Sequence, residues 1–444
     1  MNNKVSLVTL NFNGKKFLEP LLHSLREQTY SPVEIIVVDN HSTDGSRELL
    51  QSRYPDVKLV ENGTNLGFAG GNNSALPHCT GEYVGLINND VVADPHYVEF
   101  LVAALEQQNA DVVGSKILFY TPFITLRFET PTFIPSENNQ SSDTRKLGCM
   151  VGSICVDSVD YPKRLFLDQT YGEEQAGEMT YHWISNNAIV KVPVATQHES
   201  ATLRIQLASS DAMNSPRVHI FIGENEVFAA EISTTFREYE IPLSRELIHD
   251  NGHFVINNAS SRLDKHTGSG GDVGMNEDDL GQYDTPHEVE TLCGGSMMIR
   301  KSIIDQYGLF DEYFFAYYED TDFCWRLNRL NKKLFYEPRA VMYHYHTGTS
   351  KEWSPLFRFL TSRNRLAMML KHASIGDVAR QWGEEYYRAL HSLVYRAYRL
   401  LKKRVLHGPE DANATIRFRV CLDLVMHFPS LVWKRLRFPH HQAP

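Results

Sequence analysis

Residues 34–46 read Glu-Ile-Ile-Val-Val-Asp-Asn-His-Ser-Thr-Asp-Gly-Ser, a run of branched apolar residues that ends in a carboxylate and a polar loop. An apolar run without alternation is typical of a parallel strand that is buried on both faces. The loop after Asp39 contains a glycine and leads to a helical pattern that begins at Ser46. This stretch therefore predicts a strand–loop–helix step of an α/β sheet, with polar side chains at the carboxyl end of the strand.

The same step occurs on both sides of this stretch. Apolar runs predict further strands at 5–10, 57–61 and 83–88, and leucines at helical spacing predict a helix over 17–28. A short helix is expected at 46–52, and Asp94-Pro95 is expected to cap and begin another. Because ligands bind at the carboxyl ends of strands in such sheets, the loops after Leu10, Asp39, Glu61 and Ile87 are the candidate site.

The pattern changes near residue 126. Leu203, Ile205 and Leu207 alternate with polar residues, and similar alternation recurs near 218–222, 239–243 and 254–256, which is typical of an antiparallel β-sandwich. The α/β pattern resumes near 292, with a strand at 296–300 and a helix at 319–331. We therefore expect four regions. They are a first catalytic α/β part (1–125), an inserted β-sandwich (126–265), a second catalytic part on the acceptor side (266–357) and a basic amphipathic helical tail (358–444).

Charge is divided unevenly along the 444 residues. The net charge is −10, yet residues 358–444 contain 16 Lys and Arg against 6 Asp and Glu, so the tail carries about +10 and the rest about −20. A basic helical tail predicts contact with an anionic membrane surface, and a solvated helical face is the alternative. Nucleic acid is not an expected partner, because it would repel the acidic body.

Localisation is predicted from apolar runs. The run at 5–10 is too short for a signal peptide, and nothing approaches the roughly 20 apolar residues that span a bilayer. A cytoplasmic protein is expected, peripheral on the inner face of the membrane if the tail binds lipid.

Four polar motifs fall at or near the predicted strand ends. Asn11 and Asp39 could bind a base or ribose, and the glycine-rich loop 65–73 allows close backbone approach to a ligand. Asn88-Asn89-Asp90 offers hard oxygen ligands of the kind that a divalent cation needs on a diphosphate. The carboxylates at 319–322 open a helix, where the dipole favours an ionised base. Each motif taken singly is equally compatible with a turn or a helix cap.

The motifs occur in a characteristic order. They are N-F-N, V-V-D-N-x-S-x-D-G-S, N-L-G-F-A-G-G-N-N, N-N-D, C-G-G-S, Y-E-D-T-D-F-C-W-R, H-x-H-x-G-T-S and R-N-R. Over about 1–120 and 290–366 the chain resembles the family 2 inverting glycosyltransferases, in particular their rhamnosyltransferase-like branch. The resemblance implies a nucleotide-diphospho-sugar transferase fold of the GT-A type, here with an inserted antiparallel β-sandwich and a helical C-terminal tail.

The resemblance also implies roles for single residues. Asp320, with Glu319 beside it, would deprotonate the acceptor hydroxyl. Mg²⁺ or Mn²⁺ would be bound by Asp90 and Asn88, together with His344 or His346. Gly294, Gly295 and Trp325 would lie on the acceptor side. The donor would be bound by Asn11, Asp39, Asn40, Asn65, Gly67, Phe68, Asn72, Asn89 and Arg363.

Several alternatives stay open at this point. Many relatives have D-x-D where this chain has Asn88 and Asp90, so Asn88 would offer a carbonyl oxygen in place of a carboxylate oxygen. By analogy the donor is dTDP-rhamnose, with a UDP-hexose or a furanose donor as alternatives, and the acceptor is a polysaccharide or a lipid-linked glycan. Segments 133–136 and 143–148 resemble the closing part of a β-module in other polysaccharide-assembly enzymes, which suggests an acceptor-positioning role or a spacer. A non-catalytic carbohydrate-binding protein is the alternative function.

Overall fold

The protein is described here from a computed structural model. The structure describes residues 3–138, 141–157, 165–177, 179–194, 200–345, 354–401 and 409–437.

The first part of the chain alternates strands and helices, as its apolar runs predict. The strand predicted at 83–88 is observed with the same bounds. The bounds of the other predicted strands and helices of this part differ from the prediction by at most two residues. The helix after Asp94 is the exception. That helix begins later than expected, because the Asp94 side chain accepts from the backbone of His96 instead of capping the first turn. The elements are β1 (Val5–Asn11), α1 (Lys15–Arg26), β2 (Val33–Asp39), α2 (Ser46–Arg53), β3 (Lys58–Glu61), α3 (Gly67–Ala75), β4 (Tyr83–Asn88), β5 (Val91–Ala93), α4 (Tyr97–Gln107) and β6 (Val112–Phe119).

Next come two antiparallel sheets of five strands each, which share one core of buried aliphatic side chains. Their strand orders are β10-β11-β8-β13-β16 and β15-β14-β7-β12-β9. Only the later strands show clear alternation in the sequence. The elements are β7 (Phe123–Glu129), β8 (Cys149–Val156), β9 (Leu165–Phe166), β10 (Thr170–Ala176), β11 (Met179–Ile184), β12 (Ala188–Pro193), β13 (Ser200–Ala208), β14 (Arg217–Ile222), β15 (Asn225–Glu231), β16 (Arg237–Ser244) and α5 (Arg245–Asn251).

The chain then returns to the α/β part earlier than the sequence suggests. The apolar run at 254–256 leads into β17 (Ile256–Asn258), which pairs with β6 of the large sheet and not with the sandwich sheets. A hairpin of β18 (Ser261–Asp264) and β19 (Ser269–Asp272) follows directly. The expected end of the β-sandwich region at 265 therefore falls inside a segment that already belongs to the large sheet and its surroundings.

The remaining α/β elements complete a sheet that contains ten of the described strands. Its main order is β20-β22-β6-β21-β4-β1-β2-β3, with β17 on β6 and β5 on β22. Strands β1 to β4 are parallel, whereas β21 is antiparallel to both of its neighbours, so the sheet is mixed. Apolar clusters cover both of its faces. The new elements are β20 (His287–Glu288), β21 (Ser296–Arg300), α6 (Lys301–Tyr307), α7 (Glu319–Arg329) and β22 (Leu334–His344).

The C-terminal part is helical, as its sequence pattern predicts. It consists of α8 (Pro355–His372), α9 (Ile375–Leu401) and α10 (Pro409–Arg437). Apolar residues of these helices pack in one cluster with Trp325 of α7 and Phe314. Within the described ranges, no helix is long and apolar enough to cross a bilayer.

Candidate active site

The carboxyl ends of β1 and β2 bring Asn11 and Asp39 side by side. The two residues are partners in the parallel register, and both are almost fully buried. Nδ2 of Asn11 donates to Oδ2 of Asp39 over 3.3 Å, and the backbone N–H of Ser42 donates to Oδ1 over 2.9 Å. The polar loop after β2 thus folds back on the carboxylate, at the edge where ligands of such sheets bind.

A second loop joins the same edge through Asn40. Its Nδ2 donates to Oδ1 of Asn65 over 2.9 Å and to the carbonyl of Gly67 over 3.1 Å. Gly67 has a φ of +71°, and a Cβ there would overlap the carbonyl oxygen of Phe315. Glycine is therefore required at 67, because this loop lies directly against the segment that precedes α7.

Helix α3 connects this loop to the other side of the site. Nδ2 of Asn72 donates to the carbonyl of Phe68 over 2.8 Å, so Asn72 stabilises its own helix. The ring of Phe68 lies 3.4 Å from the position that a Cβ of Gly294 would take. Phe68 therefore links the predicted donor side to the predicted acceptor side.

The turn after β4 connects three parts of the sheet. Nδ2 of Asn89 donates to Oδ1 of Asn11 over 3.0 Å. The Asn88 side chain lies so close to Gly295 that a Cβ at Gly295 would overlap its amide, and the backbone N–H of Asn88 donates to the Gly295 carbonyl over 2.9 Å. Both asparagines are thus within the predicted site, and Asn88 packs towards β21.

Asp90 and His344 form a buried polar pair. Oδ1 of Asp90 lies 3.1 Å from Nε2 of His344, and their side chains are 6% and 15% exposed. Nδ1 of His344 lies 3.0 Å from Oδ1 of Asn257 in β17. The structure therefore brings together two of the predicted metal ligands, whereas His346 lies outside the described residues.

The Asp90–His344 pair fits a divalent cation by its chemistry. A carboxylate oxygen and an imidazole nitrogen are donors that Mn²⁺ accepts readily, and the carboxylate also suits Mg²⁺. No group of three or more His, Cys, Asp or Glu side chains that could hold a metal occurs in the part of the chain that the structure describes. A cation bound by this pair would need further oxygen ligands from a substrate or from water.

Asp320 lies in the first turn of α7 and is held by three hydrogen bonds. The backbone N–H of Gly294 donates to Oδ2 over 2.9 Å, while the backbone N–H and the hydroxyl of Thr321 donate to Oδ1 over 2.6 and 3.1 Å. Burial raises the pKa of Asp320, and these bonds oppose the rise. A carboxylate that is fixed in orientation and has a raised pKa is suited to accept a proton.

Asp272 is a carboxylate of this site that we did not predict. Nδ2 of Asn258 donates to its Oδ1 over 2.6 Å. Burial and the charge of Asp320 raise the pKa of Asp272, and His344 opposes this rise, so Asp272 lies within electrostatic range of both residues. The Gly- and Asp-rich composition of 267–284 was a weak signal for it, because such segments are mostly turns.

Comparison with known families adds an independent observation. Residues 6–161 match the family model described as "Glycosyl transferase family 2". By this match, residues 6–161 form a glycosyltransferase domain of family 2 type. The matched range includes β1 to β6 with Asn11, Asp39 and Asp90, and it extends into the first sandwich strands. With the topology of the ten-stranded sheet, this match identifies the α/β fold as mixed and GT-A-like.

Curated relatives of the glycosyltransferase domain are similar over about a quarter of the chain. An uncharacterised glycosyltransferase of Nostoc sp. is 35% identical over 25% of this chain and 35% of its own. A putative glycosyltransferase, EpsE, of Bacillus subtilis is 33% identical over 27% of this chain and 45% of its own. The chain therefore spans less than half the length of these relatives.

Solved structures align over nearly the whole chain at low similarity. A structure of GalNAc-T7 with UDP, GalNAc and Mn²⁺ aligns with 96% of this chain and 57% of its own, at 11% identity and a TM-score of 0.43. The mannosyltransferase PcManGT of Pyrobaculum calidifontis, in complex with GDP-Man and Mn²⁺, aligns with 99% and 85%, at 12% identity and a TM-score of 0.39.

The carboxylates next to Asp320 differ in the direction of their pKa shifts. Glu319 is almost fully buried, and burial together with Asp320 and Asp322 raises its pKa well above the ordinary value. Although burial opposes it, Lys371 and His372 lower the pKa of Asp322, which bonds to both of them. Burial disfavours the ionised form of Glu319, and Asp322 is paired with Lys371 and His372, so Asp320 is the better candidate for a base.

Two predicted residues, on α7 and α8, do not reach the predicted positions. Trp325 is 5% exposed and packs on His372 in the core beneath α8, because five helical residues place it about 140° around α7 from Asp320. The guanidinium of Arg363 donates to the carbonyls of Tyr313 and Phe314 over 2.7 and 3.1 Å. The structure does not bring Trp325 to the acceptor side, and a contact of Arg363 with the diphosphate stays a prediction.

Proposed function

We propose that this protein transfers a sugar, with inversion, from a nucleoside-diphosphate sugar to a hydroxyl of a polysaccharide or lipid-linked glycan. The observation that carries the proposal is the arrangement of three polar groups within one site. These are the Asn11–Asp39 pair, the Asp90–His344 pair and Asp320, which are linked through Asn89, Phe68 and Gly294.

The donor is proposed to bind at the ends of β1, β2 and β4. Asp39 would accept hydrogen bonds from the base or ribose, and Asn40 and Asn65 fix the loop that covers the other side. Gly67 lets this loop pack directly on Phe315, which would hold the loop in place beside the donor. By analogy dTDP-rhamnose is our proposed donor, with a UDP-hexose or a furanose donor as the alternative.

Asp90 and His344 are proposed to bind Mg²⁺ or Mn²⁺. Bound there, the cation would supply positive charge for the diphosphate as it becomes the leaving group. The side chain of Asp90 is 6% exposed, so a charge placed against it is little screened by solvent. Asn88 packs on Gly295, which supports a positioning role for it more than a ligand role.

Asp320 is proposed to be the general base. The ionised carboxylate takes the proton of the acceptor hydroxyl while that oxygen forms a bond to the anomeric carbon of the donor. The bond from the anomeric carbon to the diphosphate oxygen breaks, and the nucleoside diphosphate leaves with the electron pair. Attack opposite the leaving group inverts the configuration. The N–H groups of Gly294 and Thr321 hold the two carboxylate oxygens in place.

Thermal-shift measurements test the donor site. A ligand at a hundredfold excess over its Kd stabilises the folded protein by about 2.7 kcal/mol. We expect one class among UDP-, dTDP- and GDP-sugars to raise Tm with Mn²⁺ and much less with EDTA. Asp90→Ala should lose the metal-dependent shift, while Asp305→Asn, an exposed carboxylate on α6, should keep it. No shift with any donor would favour the alternative, a non-catalytic carbohydrate-binding protein.

We also propose that the C-terminal helices bind an anionic membrane surface from the cytoplasmic side. A merely solvated helix would expose polar residues, but α9 and α10 each expose a stripe of large apolar side chains. Exposed arginines accompany these stripes, and Arg419 and Arg437 lie beside the stripe of α10. The exposed apolar residues are Tyr387, Leu390, Val394, Tyr395 and Tyr398 on α9, and Phe418, Leu422, Val425, Met426, Trp433 and Leu436 on α10.

A further inference from the structure

We propose that Asn257, in the strand that returns the chain from the β-sandwich sheets, is a positioning residue for His344. It would hold the imidazole with a proton on Nδ1, so that Nε2 faces Asp90. The inference rests on the proposed function in one respect. The Nε2 lone pair of His344 matters because it would bind the cation proposed at Asp90 and His344.

The bond to Asn257 orients the ring of His344. Oδ1 of Asn257 has no proton to give, so in the 3.0 Å contact the imidazole Nδ1 is the donor. The ring orientation that this bond fixes places Nε2 3.1 Å from Oδ1 of Asp90. A positive charge between these two atoms stabilises the contact: a proton on Nε2 provides it without metal, and a divalent cation would take the place of that proton.

The backbone of β17 explains why Asn257 points at His344. Ile256 pairs with Leu118 of β6 and Asn258 with Ile117, so two steps along β17 correspond to one step along β6 and Asn257 is the extra residue. Such a bulge re-aims a side chain, and bulges are frequent beside active sites. His344 pairs with Phe119 on the other edge of β6. The bulge therefore directs Asn257 across the end of β6 towards His344.

The amide of Asn257 is also fixed at its other end. Nδ2 lies 3.6 Å from Sδ of Met275, a weak acceptor, and the residue is 8% exposed. Because the amide N–H of Asn257 points at Sδ of Met275, the amide oxygen on the other side of the group points at His344. Its neighbour Asn258 bonds to Asp272, so consecutive residues of one short strand contact both a proposed metal ligand and the carboxylate near Asp320.

Two substitutions separate this role from general packing. Asn257→Asp keeps an acceptor for the Nδ1–H, whereas Asn257→Leu removes it at similar volume. Loss of the partner of a metal-binding histidine usually lowers metal affinity by about 10–100-fold. We expect Mn²⁺ affinity, measured by electron paramagnetic resonance with a nucleoside diphosphate present, to fall by that factor in Asn257→Leu and to be retained in Asn257→Asp. Equal Tm values would exclude a folding defect as the cause.

A double-mutant cycle tests whether Asn257 acts through His344. Asn257→Leu should weaken Mn²⁺ binding in the wild-type background and add nothing in His344→Ala. An additive loss, or an equal loss in Asn257→Asp and Asn257→Leu, would overturn the inference.

The protonation of Nδ1 can be measured without any metal. Imidazole ¹⁵N NMR of the metal-free protein should show a protonated Nδ1 for His344, assigned by its absence in His344→Gln. In Asn257→Leu, only part of the molecules should have Nδ1 protonated. An unprotonated Nδ1 in the wild type overturns the inference. If the wild type has a protonated Nδ1 but binds no Mn²⁺, the metal part of the proposed function fails while the role of Asn257 stands.

Discussion

Asp320 has to carry a negative charge in a place where burial opposes that charge. Asp320→Asn keeps the shape and removes the base, so we expect transfer to fall by about 10²–10⁴-fold with donor affinity little changed. Folding stability should change little, because the substitution removes a partly buried charge beside Glu319 and also one of the two oxygens that accept from Gly294 and Thr321. Transfer to a glycan acceptor, donor binding and Tm are the measurements.

Glu319→Gln is the matched control for this substitution. Since burial raises the pKa of Glu319 and favours its neutral form, glutamine is a close replacement and should preserve most of the activity. If Glu319→Gln lost as much activity as Asp320→Asn, the assignment of the base to Asp320 would be wrong.

The charge of Asp272 should be visible in the pH dependence of transfer. Asp320 can accept a proton only in its ionised form. The rate of transfer should therefore fall as the pH decreases through the raised pKa of Asp320. Asp272→Asn removes a nearby negative charge, which makes ionisation of Asp320 easier and moves this acid limb to lower pH. Asp250→Asn, an exposed carboxylate on α5, should leave the limb unchanged. An acid limb that stays in place in Asp272→Asn would remove Asp272 from the site.

Single residues of the site were predictable to different degrees. Asn11, Asp39 and Asp90 follow apolar strands of a parallel sheet, and strand ends of such sheets meet at one edge. Asn257 and Asp272 had no such signal, because their positions depend on a bulge and a hairpin whose pairing is formed by distant parts of the chain.

At the scale of elements, the long regular patterns predicted the structure best. The parallel strands β1 to β4 and helix α7 were predicted within two residues, since burial on both faces of the strands and on one face of the helix gives a clear pattern. Strands β6 and β22, which also pair in parallel, were not predicted. Strands β8 to β12 were missed because they are short or irregular, with a register shift in β10 and only partial burial in β11. The apolar run before β17 was assigned to the wrong sheet, since periodicity does not identify a partner.

The contact between α7 and α8 should make stability depend on pH. His372 is buried, and burial lowers its pKa to about 4, while the unfolded value is about 6.5. Between these values the unfolded chain binds more protons, so stability decreases as the pH falls from about 6.5 to about 4, by about 3 kcal/mol in total. Denaturant unfolding at a series of pH values measures this loss.

His372→Gln is the control for that series. Glutamine cannot titrate, so the difference in stability between wild type and variant should shrink as the pH falls through this window. A difference that stays constant with pH would show that His372 does not contribute to the pH dependence.

At the scale of the whole molecule, the division of charge in the sequence corresponds to a division in the structure. The described basic residues of α8, α9 and α10 lie on helices that pack with α7 and expose apolar stripes, whereas the acidic body contains the ten-stranded sheet and the two five-stranded sheets. The sequence predicted an amphipathic tail but not which apolar residues are buried, because α10 has one apolar face towards α8 and another that is exposed.

This arrangement predicts binding to vesicles that contain phosphatidylglycerol and weaker binding as salt rises. Leu422→Gln with Trp433→Gln should reduce binding at least tenfold, because each lost apolar contact is worth about 1.5–3 kcal/mol. Sedimentation with vesicles is the measurement, with phosphatidylcholine vesicles and Ser430→Gln as controls. The membrane proposal would be contradicted if the wild-type protein did not bind these vesicles. It would also be contradicted if the protein dimerised through the exposed apolar stripes of α9 and α10.

The most direct test of the central claim is slow release of nucleoside diphosphate from donors in the absence of an acceptor. Purified protein would be incubated with UDP-, dTDP- and GDP-sugars in turn, and the free diphosphate measured. A transferase site at this sheet edge predicts release from one donor class, lost with EDTA and in Asp90→Ala but kept in Asp305→Asn. No release from any donor, together with binding of a glycan, would mean that the protein binds carbohydrate and does not transfer it.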